Sequence, residues 1–238
     1  MNVLLLAAGK GTRLMPITRE TPKCLVKING KPLIEYWLDR FIPLKSIEKV
    51  YINTHYLSNK VSEYLSYYGD KKKIEILFEK RLLGTAGTLK NLINSLATKM
   101  PLMLVHADNL SFFSLDSFFS CYHDRPMGCE LTLMTFKTDT PKSCGLVGSN
   151  ENGIMTSFAE KPEKPKHNIA NGAVCIISPR ALSKISTMAG AVDFSRDILP
   201  KFIGKTNVWH NSEYHRDIGT PIAYKQAQAE IKLRSNLE

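Results

Sequence analysis

The residues best suited to chemistry come early. The apolar run from Val3 to Ala8 is followed at once by Gly9-Lys10-Gly11-Thr12-Arg13-Leu14-Met15-Pro16, and cationic residues continue at Arg19 and Lys23. A glycine-containing loop at the carboxyl end of a first strand lets backbone N–H groups approach a phosphate closely, at the position where open α/β sheets bind ligands. The loop is neither G-x-G-x-x-G nor G-x-x-x-x-G-K-[ST], which disfavours a dinucleotide fingerprint and a P-loop. Two glycines alone are equally compatible with a plain surface turn; with Arg13 and Lys23 beside them, the set suits a triphosphate. A carboxylate, Asp108, follows a second apolar run, Leu102 to His106, and is therefore expected at the same edge of the sheet.

The elements that must position these residues follow from periodicity. Short apolar runs alternate with longer amphipathic ones, the pattern of strands alternating with helices around a largely parallel sheet. Strands are expected at Val3–Ala8, Val50–Asn53, Ile74–Phe78 and Leu102–His106, and helices at Pro32–Phe41, Ser58–Tyr68 and Gly87–Leu96. The Pro32–Phe41 helix would start on its proline and turn Leu33, Tyr36, Trp37 and Phe41 to one face. After a helix at Leu115–His123 come short strand-like runs at Glu130–Phe136, Gly145–Gly148, Ile154–Phe158 and Ala173–Ile177, then helices at Pro179–Ser186 and Pro221–Leu233. The fold class expected is α/β, Rossmann-like, with a mixed, mostly parallel sheet flanked by helices. No internal repeat or Gly/Ser linker divides the chain, so residues 1–238 read as a single catalytic domain.

Composition narrows the function classes. With 238 residues, 43% hydrophobic, 23% charged, 14 Gly and 12 Pro, the chain is neither disordered nor fibrous. Its longest apolar run falls far short of the ~20 residues of a membrane span, and no signal-peptide pattern precedes it, so a cytoplasmic protein without a membrane partner is expected. Cys24, Cys121, Cys129, Cys144 and Cys175 form no C-x-x-C pair and are odd in number; they read as core or incidental thiols. The net charge of +10 fits nucleic acid, an anionic surface or small phosphorylated substrates. Its one run, Lys71-Lys72-Lys73 after Gly69-Asp70, reads as a solvated turn, so nucleic acid is not expected as a partner.

The opening stretch Leu6-Ala7-Ala8-Gly9-Lys10-Gly11-Thr12-Arg13-Leu14-Met15-Pro16, with Thr21-Pro22-Lys23 after it, resembles the signature of the sugar-1-phosphate nucleotidyltransferases, or nucleotide-sugar pyrophosphorylases. The resemblance continues through Gly30-Lys31-Pro32-Leu33-Ile34, Gly84-Thr85-Ala86-Gly87, Ala107-Asp108, Glu160-Lys161-Pro162, Asn171-Gly172 and Asp217-Ile218-Gly219-Thr220-Pro221. It implies attack of a sugar 1-phosphate oxygen on the α-phosphorus of a nucleoside triphosphate, with release of pyrophosphate. The attacking oxygen is already anionic, so no protein nucleophile is needed; the protein must hold two polyanions in line and neutralise charge.

By this resemblance Arg13 and Lys23 are the catalytic phosphate-binding pair. Leu6, Ala8, Gly9, Gly11 and Thr12 wrap the nucleotide, and Gly84, Thr85 and Gly87 approach its base. Gly145, Glu160, Lys161 and Asn171 hold the sugar 1-phosphate, and Asp108 with Asp217 binds Mg²⁺ as cofactor. On residue type alone each Asp is also a good cap or turn residue, Lys161 an ordinary solvated lysine, and Gly145 and Asn171 ordinary turn or strand-end residues. The motif set as a whole is most similar to mannose-1-phosphate guanylyltransferase-like chains, which implies GTP, a manno-configured sugar phosphate and a supply route to polysaccharide. Uridylyl-, thymidylyl- and cytidylyltransferases on other sugar 1-phosphates remain alternatives, as does a catalytically silent nucleotide-sugar-binding regulator; a homo-oligomer is compatible with each.

Departures from the family pattern are Ala107, where relatives often have Gly, and His215, where an aromatic residue often stands. His215 reads either as a group titrating near neutrality or as a packing histidine. The sequence ends after the helix that starts near Pro221, with no hexapeptide-repeat segment, so acetyltransferase activity is not implied.

Overall fold

The computed structural model describes residues 1–68, 72–96 and 100–235, with nothing said of the Ser235 side chain. In chain order the elements are β1 (Asn2–Leu6), β2 (Lys27–Ile28), β3 (Lys31–Pro32), α1 (Leu33–Phe41), β4 (Val50–Thr54), α2 (Ser58–Tyr67), β5 (Ile74–Phe78), α3 (Gly84–Ser95), β6 (Leu102–His106), β7 (Asn109–Phe112), α4 (Leu115–His123), β8 (Leu131–Lys137), β9 (Gly145–Ser149), β10 (Met155–Glu160), β11 (Ile169–Ile177), α5 (Pro179–Ser186), β12 (Thr206–Asn211), β13 (Tyr214–Asp217) and α6 (Pro221–Ser235). The sheet is mixed and mostly parallel, flanked by helices, which is the class expected from the sequence. Of the stretch 69–73 that reads as a solvated turn, residues 69–71 lie outside the described residues.

The chain falls into two compact units. One comprises Met1–Leu82, Val105–Ser111 and His215–Glu238; the other comprises Leu83–Leu104 and Phe112–Tyr214. In the first, β1 runs parallel to β4, with Val3 opposite Val50, and β4 runs parallel to β5. Val3, Leu4, Leu5, Val50 and Ile52 are fully buried, so β1 and β4 are continuous apolar runs because both their faces are covered. Helix α1 buries Leu33, Ile34, Trp37, Leu38 and Phe41. Tyr36, expected on that face, is half-buried and its hydroxyl donates to the Ile28 carbonyl. Pro32 is the N-cap of α1 and not its first residue.

In the second unit β11 runs antiparallel to β8, β9 antiparallel to β10, and β12 parallel to β8. The expected strand Ala173–Ile177 extends back to Ile169, with a register shift between Asn171 and Cys175. Asn-Gly reads as a turn in sequence, whereas here it forms an irregularity inside a longer strand. Helix α3 starts at Gly84, three residues before the expected Gly87. Its third residue, Ala86, donates its N–H to the Val192 carbonyl at 2.9 Å, so a distant segment satisfies one of the donors that a helix start leaves open. Strands β7 and β13 have only four residues each, too few for a period to stand out in sequence, and polar residues interrupt the alternation of β12. All five cysteines are free thiols; Cys24, Cys129 and Cys175 are buried, in keeping with a packing role.

Candidate active site

Three stretches of the first unit bring the expected charged residues together. The loop after β1 reaches Gly11, whose φ of +63° starts the short 3₁₀ turn Thr12–Leu14 carrying Arg13. A Cβ on Gly11 would stand 2.8 Å from Thr18 Cγ2 and 3.2 Å from Lys23 Cβ. The positive φ and this close packing require glycine for independent reasons. The Thr18 hydroxyl donates to the Gly11 carbonyl at 2.7 Å, closing the loop on itself. Gly9 is exposed, a Cβ on it would meet nothing within 4 Å, and Thr12 is exposed as well. Leu6 and Ala8 line the strand end, half-buried and buried respectively.

Lys23 lies on the 3₁₀ turn Lys23–Leu25 and is buried, with 8% of its side chain exposed. Its Nζ donates to Asp108 Oδ2 at 2.6 Å and stands 3.5 Å from Asp217 Oδ1. Arg13 Nη2 lies 3.8 Å from Asp217 Oδ2, and both of these side chains are more than half exposed. The two carboxylates, remote in sequence, meet because β7 pairs with β13 and the Ile218 N–H donates to the Asp108 carbonyl at 3.1 Å. Arg13, Lys23, Asp108 and Asp217 are therefore one cluster.

Electrostatics separate the two acids. Burial pushes the Asp108 carboxyl up, but the Lys23 ammonium, with a smaller contribution from His106, outweighs it and holds Asp108 below the usual range. Asp217 goes the other way: although more than half of its side chain is exposed, partial desolvation and then the negative charge of Asp108 raise it, against the pull of Lys23 and Arg13. A position where one acid is disfavoured by another suits a divalent cation, which would relieve the repulsion and find two hard oxygen donors, phosphate oxygens and water completing its shell. Among the described residues no cluster of three or more His, Cys, Asp or Glu has metal-binding geometry, so a cation here would depend on such non-protein ligands. Burial pushes His215 down to about 3 despite the neighbouring Asp108 charge, which argues against the reading of a group titrating near neutrality.

Sequence reasoning missed two groups, one packed against this cluster and one at the root of the glycine loop. Gly219 belongs to the Asp217-Ile218-Gly219 motif but carried no role; a Cβ there would stand 2.7 Å from Asp217 Oδ2 and 2.8 Å from Arg13 Nη2. Buried Asn53 accepts the Ala7 N–H at 2.7 Å and donates to Glu79 Oε1 at 2.9 Å, fixing the chain where the glycine loop begins. An asparagine closing the apolar run Val50–Asn53 was the available signal.

The second unit gathers the residues assigned to the sugar phosphate and to the base. Gly145 registers opposite Glu160 across β9 and β10, and a Cβ on it would meet Glu160 Oε2 and Phe158 Cζ, each at 2.7 Å. Lys161 follows at φ +47°, with its N–H on the Cys144 carbonyl at 3.0 Å and its ammonium exposed, 3.8 Å from Glu160 Oε1. Asn171 lies on the neighbouring strand, next to Ala170, which registers with Leu146. Its Oδ1 accepts the Ala173 N–H at 2.8 Å. A Cβ on Gly172 would stand 2.5 Å from Met134 Cε, so the irregularity in β11 needs glycine to pack against β8. Gly84, at φ +77°, is pressed against the Val192 backbone, and Gly87 lies in the first turn of α3, where a Cβ would be 3.0 Å from Leu83 Cβ. The Thr85 hydroxyl accepts the Phe194 N–H at 2.7 Å and lies 3.4 Å from Asp193 Oδ2. That hydroxyl is engaged within the protein.

A glycine loop, closed at Gly11 and open at Gly9, beside a cluster of two cations and two carboxylates on an α/β scaffold defines a phosphate-handling enzyme class, and comparison with known proteins agrees. Residues 2–233 match the family model described as nucleotidyl transferase, and the chain belongs to that family. It is 28% identical over 227 residues to the mannose-1-phosphate guanylyltransferase catalytic subunit beta of Drosophila melanogaster, covering 92% of this chain and 60% of that protein. It is 27% identical over 239 residues to the mannose-1-phosphate guanylyltransferase of Mycobacterium tuberculosis, covering 97% of this chain and 64% of that protein. The chain thus spans about 60% of the length of the curated relatives it matches. In fold it is similar to the crystal structure of HddC from Yersinia pseudotuberculosis complexed with GMP-PN, with a TM-score of 0.77, 23% identity, and coverage of 97% of this chain and 99% of that one.

Proposed function

We propose that this protein transfers a nucleoside monophosphate from a nucleoside triphosphate to a sugar 1-phosphate, with GTP and mannose 1-phosphate as the substrate pair. The observation that carries this reading is the buried Lys23 ammonium bridging Asp108 and Asp217 beside Arg13, at the mouth of a glycine loop. A binding module has no need to bury a lysine against two converging acids; a site that must stabilise charge moving from an attacking to a leaving oxygen does. The choice of guanine and mannose is supported by the names of the relatives above.

In this reaction the sugar-phosphate oxygen forms a bond to the α-phosphorus as the bond to the pyrophosphate oxygen breaks, and no proton need be moved. Backbone N–H groups of Gly9 to Thr12 approach the phosphates. Lys23 and Arg13 offset negative charge at the transferring phosphoryl group, and Lys161 holds the sugar phosphate as a point charge. Asp108 and Asp217 would hold Mg²⁺, which supplies Lewis-acid neutralisation of phosphate charge when bound. The reaction needs no nucleic-acid or membrane partner, and no helix among the described residues is long and apolar enough to cross a membrane. A cytoplasmic location, with nucleotide-sugar feeding polysaccharide synthesis, belongs to the same proposal.

The test is pyrophosphate release with GTP, UTP, CTP and dTTP, each against mannose 1-phosphate and other sugar 1-phosphates, with Mg²⁺ present. GTP with mannose 1-phosphate should give the greatest release. Release with another pair only would replace the substrates and keep the reaction; none with any pair would overturn the reading and favour a silent nucleotide-sugar binder.

A further inference from the structure

The segment Val192–Asp197 carries none of the residues assigned so far, yet it touches two of the assigned motifs. At one end the Val192 carbonyl accepts the Ala86 N–H at 2.9 Å, and Phe194 N–H with Asp193 Oδ2 brackets the Thr85 hydroxyl. At its centre the Ser195 hydroxyl accepts from Asn171 Nδ2 at 3.2 Å. The segment is itself fixed: Asp197 Oδ2 accepts the N–H groups of both Val192 and Asp193 at 2.7 Å, and Asp193 Oδ1 accepts the Arg196 N–H at 2.9 Å. Its backbone then forms a short π-helical stretch, Phe194–Ile198, a rare conformation that is frequent at functional sites.

The consequence for Asn171 follows from counting its amide groups. An asparagine side chain has two N–H donors and an oxygen with two lone pairs. Here the oxygen takes the Ala173 N–H and one donor goes to Ser195 Oγ, so both ends of the amide are fixed. One N–H and one lone pair remain, in a set orientation, for a ligand. Without Ser195 the local Asn171–Ala173 contact would still hold the oxygen, but the nitrogen would lose its only described protein acceptor and the plane of the amide its second anchor.

We infer that Ser195 is a positioning residue for the sugar 1-phosphate, acting through Asn171, while Asp193 in the same segment positions the α3 first turn for the nucleotide through Thr85. The inference rests on the reaction proposed above. One short segment thereby sets two substrate contacts by separate side chains, so each can be perturbed without the other.

The experiment is steady-state kinetics with GTP and mannose 1-phosphate, or the most active pair from the matrix above, varying each substrate in turn. Ser195→Ala should raise the sugar-phosphate KM about three- to tenfold, the range of one oriented hydrogen bond, and leave the triphosphate KM within about twofold. Ser195→Thr, which keeps the hydroxyl, should restore it. Asp193→Asn should show the reverse split. In a double-mutant cycle Ser195→Ala should add nothing to the sugar-phosphate KM of Asn171→Ala, because Ser195 acts through that amide. Equal rises in both KM values for Ser195→Ala, additive effects in the cycle, or failure of threonine to rescue would each overturn the assignment and leave the segment a structural strap. If Ser195→Ala fails to fold, the threonine variant and the Asp193→Asn split decide alone. An active Ser195→Ala variant with both KM values unchanged removes this inference only; a wild-type chain inactive with every pair removes the proposed reaction and this inference together.

Discussion

Around Lys23 the polar groups are ionised, come from three distant stretches of chain and are held by one another, with Lys23 buried between two acids and Arg13 on the outside. Around Asn171 and Gly145 they are mostly neutral and are held by backbone: a registered strand pair, a strand irregularity and glycines against which side chains pack. The first region is built to stabilise charge, the second to present shape and oriented hydrogen bonds. Loss of a charge in the first should therefore reduce turnover, whereas changes in the second should act on substrate affinity and on local stability.

The largest effect is expected at Lys23. Lys23→Ala removes the charge shared by both acids and should lower turnover by about 10²–10³, the loss typical of a transition-state contact in a water-excluded site. Pyrophosphate release from protein shown to be folded by circular dichroism measures it. A loss of less than tenfold would break the comparison by showing that the cluster serves folding alone.

At Lys161 the effect should fall on affinity. Its ammonium is exposed and paired only loosely with Glu160, so Lys161→Ala should raise the sugar-phosphate KM about tenfold and the triphosphate KM much less. An effect confined to the triphosphate would transfer Lys161 to the nucleotide.

Two glycines sharpen the contrast between shape and ligand approach. Gly84 combines φ +77° with a Cβ direction blocked by the Val192 backbone, so Gly84→Ala should destabilise the protein by about 1–3 kcal/mol, read from urea unfolding. Gly9 has open space around its Cβ direction, so Gly9→Ala should leave the unfolding midpoint unchanged and raise the triphosphate KM. A loss of stability at Gly9, or none at Gly84, would reverse the two roles.

The smallest effect concerns Asp217, whose half-exposed carboxyl is raised by partial desolvation and then by the Asp108 charge. A folded-state value above the unfolded one means that ionising this acid costs stability. The cost is present above the folded value and disappears as pH falls below the unfolded value of about 4. Without divalent cation, Asp217→Asn should therefore raise Tm at pH 7 by about 1 °C, with the gap closing below about pH 4. A lowered Tm at pH 7 would show that the pull of Lys23 and Arg13 outweighs the repulsion.

What the sequence determined by itself was local. The apolar runs at Val3, Val50 and Leu102 place strands because continuous burial leaves little freedom, and the spacing of Leu33, Trp37 and Phe41 places α1 for the same reason. Motif order was enough to nominate Arg13, Lys23, Asp108 and Asp217. It was not enough to show that they meet, since that contact depends on the pairing of β7 with β13, two strands of four residues, too short for a period to stand out. The starting point of α3 and the orientation of Asn171 were likewise invisible, because their partners Val192, Phe194 and Ser195 lie far along the chain. Propensity and periodicity are properties of neighbouring residues; ion pairs and side-chain orientation between remote ones are decided by tertiary structure, where a hydrogen bond is fixed by packing and not by spacing.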